Sequence, residues 1–472
     1  DPRGRVHDRN NALRVSCLST TLARLEVFVE GLNSSFGTAL RLPHLETSGD
    51  IKKFCSGLLE GQSHPWTADI RRLSSRSRYS ISFSLFLFRK VIPSERPQVG
   101  PYVEKMCSRQ ERADPDFLVF IRRKVREMFK YGWDYKYLDE VTTSTLPLSA
   151  CSESRRSEGG CRGLIEQERW DRQEFCRYVT ESVAPLRRGV SKVQAVESGG
   201  KWRVISIPPR VDNALRPLHR ILYNSISRHD WCLRGDAKPS SFRDFTSTGE
   251  IFVSGDYESA TDNLNTEVQM TIMRELLART RYVPDGIRSH AESIFSSALE
   301  CDGFSGIQQR GQLMGQLTSF PLLCLTNYLT FKYAIDRDVP VRINGDDIVF
   351  RAREDEVSRW ESVVGKSGLV LSTGKTLKSK RFFSLNSSLF DAGTKRVRSV
   401  PFFRARCIWS SKESEPELIS SLKSRFFSLG VGVGRLRGTA FRRIYLRQNL
   451  DTIYRCRRSL TRGMGLKVTE EG

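Results

Sequence analysis

The chain has 472 residues, 39% of them hydrophobic and 10% aromatic, which is enough apolar surface for two or three packed subdomains and excludes a disordered chain. Its 76 Lys and Arg against 54 Asp and Glu leave a net charge of +22, a self-repelling surplus that points to a polyanionic partner, nucleic acid ahead of an anionic membrane. No apolar run approaches a membrane span (Ile81 to Leu87 is the nearest, and it carries serines), and no secretory signal opens the sequence.

Asp1 rather than Met stands first, as in a processed or partial terminus. Residues 1–150 show the least pattern and read as an extension. From Ser149 to Gly163 the chain is rich in Ser, Gly, Arg and Glu, which predicts a surface loop between subdomains. Cys151 and Cys161 bracket that loop. The 11 cysteines contain no C-x2-C pair and no Cys/His set of zinc spacing, so reduced thiols in a cytosolic protein are expected. Next, K-W-R-V-I-S-I-P (Lys201 to Pro208), preceded by Lys192, predicts a strand with Lys201 and Arg203 on one side. A second polar break falls at Lys238 to Asp244.

Ile251-Phe252-Val253 reads as a buried strand running into Gly255-Asp256. An amphipathic helix is predicted after it, with Leu264, Val268, Ile272 and Leu276 at four-residue spacing and Asp262 and Asn263 near its start. Further on, V-P-V-R-I (Val339 to Ile343) and I-V-F-R-A (Ile348 to Ala352) flank Asn344-Gly345, the strongest short-range hairpin signal. Asp346 and Asp347 are therefore expected at the hairpin tip or on the first residue of the returning strand. A turn needs one such acid at most, and two in a row repel. If the 251–255 strand lies beside this hairpin, Asp256 approaches Asp346. Three carboxylates so placed suit two Mg2+ ions, which clamp the attacking and leaving oxygens of a phosphoryl displacement.

The tail from Asp391 to Gly472 holds 18 Lys or Arg against 7 Asp or Glu, a surplus of 11 and half the total charge. Arg435, Arg437, Arg442, Arg443, Arg447, Arg455, Arg457 and Arg458 alternate with apolar residues there, which suits a phosphate-tracking surface. Other chemistries lack their patterns. Gly368 to Thr376 puts five residues between its glycines where a P-loop needs four, no G-x-S-x-G elbow occurs, and Gly430 to Gly438 fails the dinucleotide pattern and reads as a flexible turn.

G-D-Y-E-S-A-T-D-N-L (Gly255 to Leu264) resembles motif A of viral RNA-dependent RNA polymerases, G-Q-L-M-G-Q-L-T-S-F-P (Gly311 to Pro321) resembles motif B, and N-G-D-D (Asn344 to Asp347) matches motif C, in the family's order and with 90 residues between Asp256 and Asp346. The wording of motifs A and B is most similar to ourmia-like mycoviruses (botourmiaviruses), which group with narnaviruses and RNA-phage replicases. Motif-level resemblance covers about residues 190 to 390. It implies an α+β right-hand polymerase with an antiparallel-sheet palm. Residues 1–150 would be an extension with part of the fingers, packing against fingers and thumb. Residues 151–250 would be fingers, 251–390 palm with some fingers insertion, and 391–472 a basic thumb.

Carried onto this sequence, the resemblance makes Asp256 and Asp346 the main metal ligands with Asp347 assisting, Mg2+ (or Mn2+) being the cofactor. Asp262 would select the ribose 2′-hydroxyl, Gly311 and Gly315 would give the motif B loop its mobility, and Thr318 and Ser319 would contact nucleotide or template. The commoner viral pattern sets an Asn one helical turn later; here that place is Leu323, and sugar recognition falls to Asn327. Lys201 and Arg203 fit motif F and would bind the triphosphate. Lys375 fits motif D as the acid for departing pyrophosphate, with Lys378 and Lys380 behind it, and Arg381 to Asn386 suits a hairpin gripping the primer or product strand. The implied partners are RNA template and product, ribonucleoside triphosphates, and host or viral proteins. A monomer in the host cytoplasm is expected. The rivals are a reverse transcriptase, a two-metal nuclease and a non-catalytic basic RNA-binding protein.

Overall fold

The computed structural model describes residues 2–163, 170–198, 201–372, 375–393, 395–409 and 419–455. The N-terminal region is helical, with α1 (Pro2–Phe36), α2 (Ser75–Phe88), α3 (Val99–Cys107) and α4 (Pro115–Met128). Ser74 caps α2 by accepting from the Ser77 N–H, and the helix buries Ile81, Phe83, Leu85, Leu87 and Phe88. Its serines are buried as well: the Ser84 hydroxyl donates to the Ser80 carbonyl at 2.7 Å and accepts from the Phe403 N–H at 2.9 Å. No helix among the described residues is long and apolar enough to cross a membrane. α4 starts at the Asp114 cap with Pro115 in its first turn, and lays Phe117, Leu118, Ile121 and Val125 along one face.

The strands that shape the centre are, in chain order, β1 (Ser191–Ser198), β2 (Lys201–Ile207), β3 (Ile251–Gly255), β4 (Ala298–Cys301), β5 (Phe304–Ile307), β6 (Val341–Asn344), β7 (Asp347–Ala352), β8 (Leu377–Ser379), β9 (Phe382–Leu385) and β10 (Ser388–Asp391). One four-stranded sheet has the order β2-β1-β4-β5. The central sheet has the order β6-β7-β3-β8 and is antiparallel throughout. Its helices are α5 (Arg216–Ile226), α6 (Thr266–Leu277), α7 (Ser319–Ala334) and α8 (Glu354–Val363). Because side chains alternate along a strand, the central sheet has two buried faces. Val253, Ile348 and Phe350 pack with Ile272, Leu325 and Trp360 of the helices, while Phe252 and Val349 meet Phe242, Phe245, Phe383 and Phe390.

A separate core joins the two ends of the chain. The Phe28 ring lies 5.5 Å from Phe88 and 5.1 Å from Phe441, the latter on α9 (Arg435–Gln448), and Gly31 leaves room for the Phe441 ring. On its other side the N-terminal region reaches the first sheet, where Val103 and Met106 of α3 pack against Val193, Leu299 and Leu313.

Four local expectations change. The helix after β3 is interrupted: a short turn, Ala260–Asn263, ends before Leu264, and Asn265 caps α6 by accepting from the Val268 N–H. Ser149 to Gly163 is a loop only partly at the surface: Arg155 to Glu158 are exposed, while Cys151 and Cys161 are buried and the Cys161 N–H donates to the Ser149 carbonyl at 3.0 Å. Gly430–Val431 pairs with Phe402–Phe403, so Gly430 to Gly438 runs from a strand into α9 rather than forming a flexible turn. The basic tail is partly structural. On α9, Phe441 and Tyr445 face inward while Arg437, Arg443 and Arg447 face solvent. The side chains of Arg435, Arg455, Arg457 and Arg458 lie outside the described residues. The ten described cysteines are all free thiols.

Candidate active site

β6 and β7 are joined by the two-residue turn Gly345-Asp346, closed by the pairing of Asn344 with Asp347. Gly345 has φ +63°, as the first central residue of a type II′ hairpin turn requires, and a Cβ there would lie 2.9 Å from Cε2 of Phe320. Asp346 thus occupies the turn and Asp347 opens the returning strand. β3 runs antiparallel to β7 with Gly255 opposite Ile348, so the next residue, Asp256, meets Asp347 across the end of the sheet. Burial, then repulsion from Asp256, raises the Asp346 carboxyl above the ordinary range. Burial together with Asp346 and Asp256 pushes Asp347 up to about 7.

Lys375 answers this charge, its Nζ lying 3.0 Å from Oδ2 of Asp256. Lys378 is engaged elsewhere, 2.5 Å from Glu361, and Lys380 is exposed. The three acids do not yet form a cage: among the described residues no group of three Asp, Glu, His or Cys side chains is arranged to hold a metal ion. The donor set is nonetheless one of hard oxygens under mutual repulsion, which fits Mg2+ or Mn2+ and has none of the sulfur or imidazole of a zinc site. Convergence needs Asp256 to turn from Lys375 toward its neighbours.

Lys201 and Arg203 share the exposed face of β2. Lys201 lines one cavity of about 410 Å³ with Asp256, Asp347 and Lys375. Lys192 lies at the far end of the β1–β2 hairpin, opposite Ile207. Arg203 and Lys375 both pull the Asp346 carboxyl back down.

The Gly311 to Gly315 loop is stitched between two motifs. The Gly311 N–H donates to the Leu264 carbonyl at 3.0 Å and the Gln312 N–H to that of Thr261 at 2.7 Å, beside Asp262. Asp262 itself is raised by burial and drawn back by Lys105. On the other side, the Ser206 N–H and hydroxyl donate to the Met314 carbonyl at 2.9 and 3.0 Å. Gly311 and Gly315 have φ of +65° and +105°, and carbonyls of Asp262 and Ser206 stand where their Cβ atoms would be.

Thr318 heads α7 at φ +67°, a strained setting for a β-branched residue, and its N–H donates to Nδ1 of His219 at 2.9 Å. Its hydroxyl donates to the Leu317 carbonyl at 2.6 Å, and that of Ser319 to Oε1 of Gln312 at 2.9 Å. Both hydroxyls are therefore turned inward, away from the cavity where nucleotide contact was expected. Asn327 departs further from expectation. It is 0% exposed, its Nδ2 donates to the carbonyls of Gly345 (3.1 Å) and Asp346 (3.4 Å), and its Oδ1 accepts from the Tyr257 hydroxyl at 2.8 Å. Its hydrogen bonds go to the carboxylate turn and to Tyr257, so it braces that turn. His219 and Tyr257 were not singled out in the sequence. A histidine on an amphipathic helix carries no local signal, although Tyr257 could have been suspected from its place beside Asp256.

No family model matches the chain. Over 183 residues it is 32% identical to the RNA-dependent RNA polymerase of Ourmia melon virus (isolate Melon/Iran/VE9), in an alignment covering 34% of this chain. The chain spans 21% of that curated relative. The crystal structure of the RNA-dependent RNA polymerase of a human picobirnavirus matches with a TM-score of 0.52 over 77% of this chain and 75% of that one, at 13% identity. Its insertion-loop deletion mutant matches with a TM-score of 0.53 over 77% and 78%, at 12% identity. The chain thus has the right-hand fold of viral RNA-dependent RNA polymerases, with an antiparallel sheet at its centre, and in sequence it is similar to the polymerase of an ourmiavirus.

Proposed function

We propose that the chain is an RNA-directed RNA polymerase, a nucleotidyltransferase that copies an RNA template from ribonucleoside triphosphates in viral genome replication. The β3–β7 register carries the reading, because it sets Asp256 against Asp347 with Asp346 in the adjoining turn, facing a cavity lined by Lys201 and Lys375. In this reading residues 251–390 are the palm with some fingers insertion, 151–250 the fingers and 391–472 the thumb. The 1–150 extension touches both neighbours, a role supported by the packing of α1 on α9 and of α3 on the β1–β4 strands. The enzyme works as a monomer in the host cytoplasm, with RNA and with host or viral proteins as partners.

Asp256, Asp346 and Asp347 would hold the divalent ions. When bound, Mg2+ or Mn2+ supplies Lewis-acid activation of a 3′-hydroxyl and neutralises charge on pyrophosphate. The chain's own residues do the rest. Lys201 and Arg203 hold the triphosphate as fixed cations. Asp262 accepts a hydrogen bond from the ribose 2′-hydroxyl, which a deoxynucleotide lacks. Lys375, once freed from Asp256, passes its Nζ proton to the departing pyrophosphate oxygen. Asn327 keeps Asp346 aimed by gripping the turn backbone.

The test is incorporation of labelled ribonucleotide on a short RNA template with Mg2+, comparing the parent with Asp346→Ala after circular dichroism has confirmed both folds. Template-dependent product that disappears in the variant supports the reading, and equal activity in both defeats it. Efficient use of deoxynucleotides would favour a reverse transcriptase. RNA binding with no synthesis by the parent would favour a non-catalytic RNA-binding protein.

A further inference from the structure

Arg89 and Lys90 follow the last turn of α2, in the region that resembles no polymerase motif. They nonetheless line the cavity shared by Asp256, Asp347, Lys201 and Lys375. Lys90 is half-buried, and its Nζ donates to the Ser387 hydroxyl at 2.7 Å, a neutral acceptor in the turn between β9 and β10. That turn is strained, with Asn386 at φ +50° and Ser387 at φ +54° and no glycine in either place. Among the described residues neither Arg89 nor Lys90 has a carboxylate within ion-pair distance.

The cations crowd one another. Burial, then Arg406 and Arg404, hold the Lys90 ammonium below its ordinary range. Burial, then Lys375, Lys90, Arg203 and Arg89, do the same to Lys201. The acids in reach are Asp256, Asp346 and Asp347, which divalent ions would neutralise, and Glu60, which feels Arg89. Arg89, Lys90, Lys201 and Lys375 then line the cavity, with Arg203 acting on Lys201, as a surplus of positive charge, and like charges gathered in a half-buried site need a multivalent anion to share. The backbone end of α2 is closed without either cation, by the Arg89 N–H on the Leu87 and Phe86 carbonyls; the Arg89 guanidinium lies 5.3 Å from the Phe86 ring centroid, while the Lys90 side chain reaches across to the β9–β10 turn.

We infer that Arg89 and Lys90 are phosphate-binding residues of the cleft, through which the N-terminal region contacts a nucleotide phosphate directly. The inference rests on the polymerase reading for the identity of the ligand and not for its charge. Two sources share the chemistry, the triphosphate of the incoming nucleotide and the phosphodiesters next to the growing 3′ end. Lys90 then has two tasks, since it also fixes the strained turn beside Asp347.

The first measurement is binding of inorganic tripolyphosphate to the whole chain in saturating Mg2+, by calorimetry. Lys90→Met and Arg89→Met are each expected to weaken it about tenfold, the size of a lost charge-assisted contact. Lys90→Arg should stay within about threefold of the parent. Unchanged binding in Lys90→Met overturns the inference. So does equal weakening in Lys90→Met and Lys90→Arg with a lower melting temperature in both, which marks a structural brace. Asp346→Ala should lose nucleotide incorporation while Lys90→Met still weakens tripolyphosphate binding in its background, which separates this site from the catalytic reading. If the parent incorporates nothing while the tripolyphosphate results hold, the polymerase reading fails and the phosphate site stands. Primed extension then assigns the source. A rise of about tenfold in nucleotide KM at constant RNA affinity identifies the triphosphate, weaker RNA binding at constant KM identifies the strand, and no change in either overturns the inference.

Discussion

The Asn327 side-chain amide donates to the Gly345 carbonyl at 3.1 Å, so the tip of the carboxylate hairpin hangs from the middle of α7. Its other side is fixed by the Tyr257 hydroxyl, one residue after Asp256, and a single amide therefore ties together the two strand ends that carry the acids. Asn327→Leu is expected to lower kcat by roughly 10- to 100-fold, as loss of a buried hydrogen-bonded brace does. The preference for ribo- over deoxyribonucleotides should not change. Steady-state kinetics with both nucleotide types checks this, and a collapse of sugar discrimination would return Asn327 to the ribose.

The acids predict how metal affinity moves with pH. Asp347 is pushed up to about 7, chiefly by burial and then by Asp346 and Asp256. An ion takes only the deprotonated form, so the Mg2+ concentration at half-saturation should rise roughly tenfold between pH 7.5 and pH 6, with protons released on binding. Stability follows the opposite course without metal. The folded-state value lies above the ordinary carboxylate value, so the native state is favoured as pH falls from about 7 and penalised as pH rises through it. Asp347→Asn should accordingly melt higher than the parent in metal-free buffer at pH 8. Titration calorimetry at two pH values and paired melts would show it, and a flat Mg2+ response would refute it.

His219 holds the strained Thr318 in place, and it can accept that N–H only as neutral imidazole. Burial, then Arg216, Arg220 and Arg234, push it down to about 4. His219→Ala should cost about 1–2 kcal/mol of stability and lower activity by more than fivefold, with His219→Asn recovering part of both. Because the unfolded histidine takes a proton that the native one refuses, this contact weakens the fold as pH drops from about 6.5 toward 4. Denaturant titrations at pH 7.5 and 5.5 should show that slope in the parent and a smaller one in His219→Ala.

Phe441 stacks on Phe403 at 4.0 Å and meets Phe28 at a tilt, 5.1 Å away. Truncation to Ala should destabilise by about 3–5 kcal/mol, and a Leu replacement by less. Limited proteolysis is the useful readout, since α1 and α2 should become cleavable in Phe441→Ala while the central sheet stays protected. Equal protection of α1 in both chains would contradict this.

The carboxylate hairpin was legible because its signals are local: Asn344-Gly345 between β-branched runs fixes the turn, and the alternation of Lys201 and Arg203 fixes their common face. The direction of α7's polar groups was not legible. Thr318 and Asn327 are turned by His219 and the Gly345 carbonyl, 99 and 18 residues away, and Ser319 by Gln312 in the preceding loop, contacts that give no periodic mark. The N-terminal helices were illegible for another reason. α2 is buried on nearly all sides and so lacks an amphipathic stripe, and its serines tolerate burial because Ser82 and Ser84 return hydroxyls to the backbone four residues back and Ser80 donates to the Pro401 carbonyl. Lys90 escaped because its partners lie in a turn about three hundred residues later.

The meeting of Phe28 with Phe441 also sets a schedule for biosynthesis. A ribosome adding about 5–20 residues per second needs roughly 20–80 s between the two rings. Through that interval α1 has only its N-terminal neighbours, Phe88 among them, its Phe441 side stays open, and the wall that Arg89 and Lys90 give the cleft is held from one side only. An interrupted translation product would therefore carry all three acids on a finished central sheet and still present a half-covered helix to chaperones and proteases.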